Sequence, residues 1–319
     1  MELSVVIPAY RSEQTIKRTI DSALAEGVAP EDIIVVEDGV FDDTASVVAA
    51  CKGVRLITLA ENRGAPAARN VGLEHVSREH VMFLDADDYV ENGLLHGLVQ
   101  TIEKEHADIA IGPWQYDGEG RRRGVMRIPK KLSNDEWICH WIWPVFFPPC
   151  SVVWNTRSVR RIGAWDERLR TNDDGEIMIR AFLRGLTVAV SSCGNAVYWQ
   201  HLSPYRVSIA KVDDLLHATE VIFEQLEAWA RSHAGRDFPE SYRRALGRYC
   251  CVTAWSAFAH DRNEVGMQWR SRAEAFGFHG KGYGRVTSVL ATFLGIRLSS
   301  KIKRRIVYPG SFYRAISQR

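Results

Sequence analysis

The sequence predicts an α/β fold in which a mostly parallel, Rossmann-like sheet is covered by helices on both faces. Short apolar, β-branched runs alternate with segments of helical periodicity from residue 3 to residue 111. Strands with such continuous apolar runs are typical of parallel sheets buried on both faces. From about residue 211 onward the pattern is almost entirely helical. We therefore expect an α/β domain over residues 1–210 and a helical region over residues 211–319.

The individual elements follow from these patterns in chain order. We predict strands at residues 3–7, 33–36, 54–59, 80–84 and 108–111, separated by helices at 12–26, 43–50, 65–76 and 94–104. After an irregular stretch over 116–149, we predict strands at 152–154 and 187–191 and a helix at 176–183. Ligands of such sheets bind beyond the carboxyl ends of the strands. The residues just after each strand are therefore the candidates for a site.

The composition excludes several classes of protein. The six cysteines form no Cys-x-x-Cys pair, which argues against a zinc site or a disulfide framework and favours a reducing compartment. No apolar run approaches the roughly 20 residues of a membrane-spanning helix, and the start of the chain does not read as a secretory signal. A dehydrogenase would need a Gly-x-Gly-x-x-Gly turn after the first strand, and residues 8–16 contain no glycine. We expect a cytoplasmic protein.

The basic residues are concentrated at the C-terminus. The 41 basic and 39 acidic residues nearly balance, but no acidic residue follows Glu274. An apolar helical stripe over residues 286–294 precedes a basic cluster over 301–305, a pattern that suits contact with an anionic membrane surface on the cytoplasmic face. A terminal helix packed on the body is the alternative. No nucleic-acid-binding pattern accompanies the cluster, so nucleic acid is not an expected partner.

Two acidic residues at the exit of the fourth strand carry the chemical hypothesis. Alternation along an extended chain would point Asp85 and Asp87 in the same direction. Two carboxylates can then share one Mn²⁺ or Mg²⁺ ion, which completes its coordination with water and phosphate oxygens. The alternative is that Asp87 or Asp88 only caps a helix that starts near Glu91.

Seven short motifs occur in a fixed order along the first two thirds of the chain. They are VVIPAY at residues 5–10, EDG at 37–39, NRG at 62–64, ARNVG at 68–72, FLDADD at 83–88, GAWDE at 163–167 and DDGE at 173–176. With these motifs the sequence resembles the family 2 glycosyltransferases of the GT-A fold from residue 3 to about residue 208. The departures from the usual pattern are Ala9, Glu37 and Val40.

The resemblance assigns roles to the donor side of the site. A nucleoside pocket would be lined by Pro8, Ala9, Tyr10 and Glu13. Asp38 would accept a hydrogen bond from a pyrimidine N3, uracil in most relatives, and Arg69 would approach the donor phosphates or ribose. The diphosphate and its cation would be held at Asp85, Ala86 and Asp87. The alternatives are a turn-forming Asp38 and a surface Arg69.

The resemblance also places a general base in the acidic pair Asp173 and Asp174, with Asp174 the better aligned. It would deprotonate the acceptor hydroxyl in a single inverting displacement. The alternative is structural, because Asp173-x-x-Glu176 fits a capping box and Glu176 with Arg180 fits an i,i+4 pair. His201 is a candidate third metal ligand, or an ordinary structural histidine.

The predicted function is glycosyl transfer from a nucleotide diphosphate sugar, UDP-linked in most relatives, to a saccharide or lipid-linked acceptor. A non-catalytic nucleotide-sugar-binding protein is the alternative. The aromatic run Trp137, Trp141, Trp143, Phe146 and Phe147 would either stack on an acceptor or pack in the core. The sugar, the acceptor and the oligomeric state are left open by the sequence.

Overall fold

The computed structural model describes most of the chain, in eight segments. These are residues 1–39, 42–118, 125–126, 128, 132–142, 147–200, 212–233 and 239–278. The strands are β1 Leu3–Ala9, β2 Ile33–Glu37, β3 Arg55–Thr58, β4 His80–Phe83, β5 Tyr89–Glu91, β6 Ile109–Ile111, β7 Trp114–Asp117, β8 Val152–Asn155, β9 Val188–Val190 and β10 Asn195–Trp199. The helices are α1 Ile16–Ala25, α2 Thr44–Ala49, α3 Ala65–Glu74, α4 Leu94–Glu105, α5 Asn134–Ile142, α6 Thr156–Arg161, α7 Asp173–Leu183, α8 Val212–His233, α9 Glu240–Ala259 and α10 Asn263–Ala275.

Seven strands form the main sheet, in the order β3-β2-β1-β4-β8-β6-β9. All neighbours are parallel except β8, which runs antiparallel to both β4 and β6. The central strands β1, β2 and β4 are buried almost throughout, as their continuous apolar runs require. The predicted mixed, mostly parallel sheet with its helices is confirmed, and all seven predicted strands belong to it.

A second sheet of three short strands was not predicted. It has the order β5-β10-β7, with β10 antiparallel to β5 and parallel to β7. β5 directly follows residues 85–88, and Val197 of β10 pairs with Tyr89. The small sheet therefore fixes the chain on the far side of the predicted acidic motif.

The chain divides into two compact units. The first contains residues 1–134 and 146–202, and the second contains residues 135–145 and 203–319. The second unit thus takes in a segment from the middle of the chain, where Asp135 accepts a 2.9 Å hydrogen bond from the Tyr242 hydroxyl. Tyr242 in turn stacks on Trp229. Within the described residues, no helix combines the length and apolar character needed to cross a bilayer.

The aromatic run of residues 137–147 is largely a core feature. Trp137, Trp141 and Phe147 are all buried, at no more than 8% exposure. Their burial favours packing over a stacking platform. The remaining two members, Trp143 and Phe146, lie outside the described residues.

Close packing of α3 on the sheet depends on Gly72. A Cβ atom at this position would lie 2.3 Å from Val6 Cγ1 and 3.3 Å from Val36 Cγ2. The helix therefore approaches β1 and β2 more closely than any side chain allows. This approach matters for function, because α3 also carries Arg69.

We predict that Gly72→Ala lowers the free energy of unfolding, because overpacking of about 1–3 kcal/mol exceeds the gain of about 1 kcal/mol in helix propensity. Chemical denaturation measures the change. The exposed Glu74→Ala on the same helix is the control, expected within about 0.5 kcal/mol of wild type. In a Val6→Ala background the loss should shrink or reverse, since the clashing methyl group is gone. An equal loss in both backgrounds would contradict this packing argument.

Candidate active site

The acidic motif after β4 forms a tight turn. The Asp88 amide donates to the Asp85 carbonyl at 2.9 Å, and the chain reverses at residues 86–87. The predicted extended alternation of Asp85 and Asp87 is therefore wrong, because the turn rather than a strand sets their directions. Both residues are nonetheless partly exposed, and their carboxylates are near enough to interact electrostatically. Burial raises the pKa of Asp85, and the negative charge of Asp87 adds to the rise against the opposing effect of Arg69.

The alternative in which Asp87 or Asp88 caps a helix near Glu91 is also wrong. The residues after the turn form β5, and α4 begins only at Leu94. The first turn of α4 is capped by Glu26, whose carboxylate accepts from the amides of Gly93 at 2.7 Å and Leu95 at 3.1 Å.

Asp88 has a different structural role. Its buried carboxylate accepts from the Trp199 amide at 2.8 Å, which ties the acidic turn to the end of β10. Burial, followed by the charges of Asp87 and Asp85, raises the pKa of Asp88 well above its usual range. The buried Cys150 thiol lies beside it, and burial together with Asp88 raises the pKa of that thiol as well.

Arg69 joins the acidic turn to α7. Its guanidinium is buried, donates to Asp85 at 2.6 Å, and forms a second, short ion pair with Asp173. The same group lies over the Trp165 ring, 4.3 Å from the ring centroid. The alternative of a surface Arg69 is wrong. The predicted contact with donor phosphates stays a prediction, because the guanidinium binds two carboxylates here.

The start of α7 brings the predicted base into this cluster. The helix is entered through Asn172, in the left-handed region at φ 55°, and this residue makes no side-chain cap. Asp173 instead reaches Arg69, so the capping-box alternative is wrong. Glu176 is fully buried and pairs with Arg180 at 2.7 Å, a pair that also fixes the loop before α7.

Asp174 is partly exposed, and its pKa is higher than that of an ordinary aspartate. Burial, followed by the charge of Asp173, raises the pKa of Asp174 to about 7, against the opposing effects of Arg69 and the Gly175 amide. Asp85 contributes a smaller rise. A carboxyl group with this pKa is half ionised at neutral pH, which suits a general base.

The residues predicted to line a nucleoside pocket lie where β1 and β2 end side by side. The Asp38 amide donates to the Ala9 carbonyl at 2.8 Å, which brings Asp38 next to the Pro8 to Tyr10 segment. Ala9 is buried, Pro8 is half-buried, and Tyr10 is 40% exposed. Glu13 lies half-buried just beyond, before the start of α1. The structure therefore places these residues at one edge of the sheet.

The Asp38 carboxylate is occupied by backbone groups. It accepts from the amides of Arg63 at 2.7 Å and Gly64 at 2.8 Å, immediately before α3. A Cβ at Gly39 would lie 2.0 Å from the Glu61 carbonyl carbon, so the two loops touch through glycine. Asp38 therefore joins its own loop to the loop before α3. Each carboxylate oxygen keeps a second lone pair, so the predicted pyrimidine contact stays a prediction.

Trp165 is a site residue to which the sequence assigned no role. Besides stacking under Arg69, it contacts Phe83 edge to face, with ring centroids 5.0 Å apart. Asn70 holds its backbone on both sides, accepting from the Trp165 amide and donating to its carbonyl at 2.9 Å each. The only sequence signal for Trp165 is its position inside the GAWDE motif.

His201, the candidate third metal ligand, lies outside the described residues.

The cluster has the chemistry that a hard divalent cation requires. The carboxylates of Asp85, Asp173 and Asp174 lie around the Arg69 guanidinium, and the Asp87 charge acts on Asp85, so these carboxylates outnumber the counter-charge that Arg69 supplies. Among the side chains that the structure describes, no group of three or more His, Cys, Asp or Glu is arranged as a complete metal site. Carboxylates of the turn thus fit Mn²⁺ or Mg²⁺ as one or two of its ligands, with water and phosphate supplying the rest.

Comparison with known proteins identifies the class. The family model for glycosyl transferase family 2 matches residues 4–199, more than half of the chain, and the protein belongs to this family. The similarity extends to solved structures. S. aureus TarS 1–349 in complex with UDP-GlcNAc has a TM-score of 0.56 at 19% identity, covering 89% of this chain and 93% of that one. This likeness confirms the GT-A fold.

A mannosyltransferase from Pyrobaculum calidifontis, PcManGT, solved with GDP-Man and Mn²⁺, also has a TM-score of 0.56. It is 14% identical, and the match covers 96% of this chain and 88% of that one.

Curated relatives align over shorter stretches. The uncharacterized glycosyltransferase EpsJ of Bacillus subtilis is 30% identical over 212 residues, which is 61% of this chain and 60% of that protein. The UDP-Glc:alpha-D-GlcNAc-diphosphoundecaprenol beta-1,3-glucosyltransferase WfaP of Escherichia coli is 29% identical over 136 residues, 42% of this chain and 54% of that protein. In such alignments the chain covers only part of the relative, from 16% to 60% of the relative's length.

We predict that Arg69→Met costs about 3–5 kcal/mol of folding free energy, because it leaves the carboxylates of Asp85 and Asp173 without their counter-charge. The control is Arg63→Met, which breaks the Arg63–Glu167 pair, whose side chains are 45% and 42% exposed. That variant should change stability by less than about 1 kcal/mol. Urea denaturation of both variants measures the difference. Equal losses would show that the Arg69 pairs contribute no more than surface pairs.

Proposed function

We propose that this protein is an inverting glycosyltransferase that moves a sugar from a UDP-linked donor to a hydroxyl group of a saccharide or lipid-linked acceptor. The assembly of a polysaccharide or glycolipid is the proposed setting. One observation carries the proposal. In a family 2 chain, the acidic turn at Asp85 and Asp87 and the acidic pair at Asp173 and Asp174 converge on Arg69.

The choice of donor and acceptor rests on relatives. The name of WfaP specifies UDP-Glc and a lipid-linked diphosphate acceptor, and TarS was solved with UDP-GlcNAc. TarP of Staphylococcus aureus, 32% identical over 137 residues, is named for a poly(ribitol-phosphate) acceptor. In the same proposal the basic C-terminal tail, which lies outside the described residues, contacts an anionic membrane surface, where lipid-linked acceptors are held.

The acidic turn is proposed to hold the diphosphate end of the donor. Asp87 and the oxygen of Asp85 that Arg69 does not bind supply the hard ligands. A bound Mn²⁺ or Mg²⁺ would neutralise charge that develops on the leaving diphosphate. Pro8, Ala9, Tyr10, Glu13 and Asp38 are proposed to surround the nucleoside, with Ala86 between the two acidic ligands.

Asp174 is proposed as the general base. Its carboxylate takes the proton of the acceptor hydroxyl while that oxygen forms a bond to the anomeric carbon of the sugar. The bond from the anomeric carbon to the diphosphate oxygen breaks in the same step, and the nucleoside diphosphate leaves. Asp173 is held by Arg69 and supports the base through its negative charge, which helps to raise the pKa of Asp174.

The first prediction from this proposal concerns pH. A carboxyl group accepts a proton only when ionised, so kcat/KM for transfer should rise with pH through a midpoint near 7, following the pKa of about 7 for Asp174. Asp174→Asn should lower kcat by about 10²- to 10⁴-fold and remove this limb of the profile. The exposed Asp21→Asn is the control and should leave both unchanged. A group with a pKa near 7 titrates over roughly pH 5.5 to 8.5. A wild-type profile of kcat/KM that stays flat over this range contradicts the assignment.

The second prediction separates an enzyme from a nucleotide-sugar-binding protein. Thermal-shift titrations across nucleotide sugars, with and without Mn²⁺, should give the largest shift with a UDP-sugar plus Mn²⁺. Asp87→Asn should weaken that cation-dependent binding by more than about tenfold, since it removes a proposed ligand. Asp174→Asn should bind the donor normally while turnover is lost. Normal donor binding by wild type without any transfer or donor hydrolysis would favour the non-catalytic alternative.

A further inference from the structure

One face of α1 holds the backbone of the acidic turn. The Arg18 guanidinium donates to the Asp87 carbonyl at 2.7 Å. The Thr19 hydroxyl lies 2.9 Å from the Ala86 carbonyl and 2.7 Å from the Asp88 carbonyl. Three consecutive carbonyl groups of the turn are therefore directed at two neighbouring side chains of one helix.

Arg18 also holds the aromatic residues on either side of the turn. Its guanidinium carbon lies 4.8 Å from the centroid of the Tyr89 ring and 4.3 Å from that of Trp199. Tyr89 begins β5, directly after the turn, and Trp199 ends β10. The Trp199 amide also donates to Asp88, which links the turn to β10. The Arg18 guanidinium therefore contacts both of these chain segments.

These contacts constrain the direction of the Asp87 side chain. Residues 86–87 lie in a turn outside the ladders of both sheets, so no strand partner fixes their peptide planes. The peptide that joins Asp87 to Asp88 is held on its amide side by the Asp88–Asp85 hydrogen bond of the turn and on its carbonyl side by Arg18. A rotation of that peptide would break the 2.7 Å hydrogen bond and move the Asp87 carboxylate with the backbone.

We propose that Arg18 is a positioning residue for the cation and diphosphate site, which sets the direction of the Asp87 carboxylate through the backbone of the turn. The inference rests on the proposed function, because it assigns Arg18 a part in binding the cation and the donor diphosphate. Arg18 itself touches neither the reacting atoms nor the proposed base.

The geometry requires arginine rather than any cation. The planar guanidinium donates in its own plane to the Asp87 carbonyl while its face packs on Trp199. A lysine in the same place could donate to the carbonyl but has no plane with which to stack. Arg18→Lys should therefore retain part of the positioning, and Arg18→Met should retain none.

The test measures binding of Mn²⁺ in the presence of UDP, from the electron paramagnetic resonance signal of the free ion, in the full-length protein. Arg18→Met should weaken this binding by about tenfold, equivalent to about 1.4 kcal/mol, and Arg18→Lys by a smaller factor. The control is Lys17→Met, one residue away on the exposed side of α1, where Lys17 pairs only with Asp21 among the described residues. It should bind as wild type does.

Steady-state kinetics and thermal unfolding without ligand complete the test. If Arg18 is a positioning residue, Arg18→Met should have a higher KM for the donor at fixed Mn²⁺. The pH midpoint of its kcat/KM profile should be the same as that of wild type. If Arg18→Met unfolds at a lower temperature but binds Mn²⁺ and UDP as wild type does, the role is only structural and the inference is overturned. If Arg18→Met does not fold, Arg18→Lys decides by the same criterion.

The outcome also separates this inference from the proposed function. A wild-type protein that binds Mn²⁺ with UDP but transfers no sugar contradicts the proposed function, while weaker binding in Arg18→Met still supports the positioning role. Active wild-type enzyme with unchanged binding in the variant contradicts the positioning role alone. A wild-type protein that does not bind Mn²⁺ with UDP contradicts both.

Discussion

The site depends on one buried guanidinium, that of Arg69, which pairs with carboxylates from two distant parts of the chain. Asp85 lies 16 residues away from Arg69 in sequence and Asp173 lies 104 residues away. A buried arginine is costly unless it is paired, and so are its partners. The charges are satisfied only when α3, the acidic turn and the start of α7 are all docked. Docking of these three elements and assembly of the site are therefore coupled.

The same cluster carries more negative charge than Arg69 can neutralise. Burial, followed by the charge of Asp173 and a smaller contribution from Asp85, raises the pKa of Asp174 to about 7, although Arg69 opposes the rise. An arrangement that costs stability in this way favours two properties of a glycosyl-transfer site, affinity for a cation and a base poised at neutral pH. Electrostatic strain in the acidic cluster is thus part of the proposed chemistry.

The acidic turn needs support from outside its own sheet, and α1 gives it. Arg18 and Thr19 bind its carbonyl groups, and Glu26, farther along the chain, caps α4 beyond β5. Trp199 brings the end of β10 to the same place. The turn has a defined conformation because two separate elements, α1 and β10, hold it.

The sequence by itself determined the seven strands of the main sheet, five of the helices between them (α1, α2, α3, α4 and α7), the family, and the acidic residues after β4. These follow from local periodicity and from short motifs, which a chain displays without folding. It missed β5, β7 and β10, because strands of three to five residues have little periodicity and their pairing is set by distant partners.

Only the tertiary structure decided what each acidic side chain binds. Asp173 pairs with Arg69 rather than capping α7, Asp38 holds the loop before α3, and Asp88 holds β10. The physical reason is common to all three. A carboxylate can accept equally well from its own helix, a neighbouring loop or a distant arginine, and only the packed chain determines which donor is nearest.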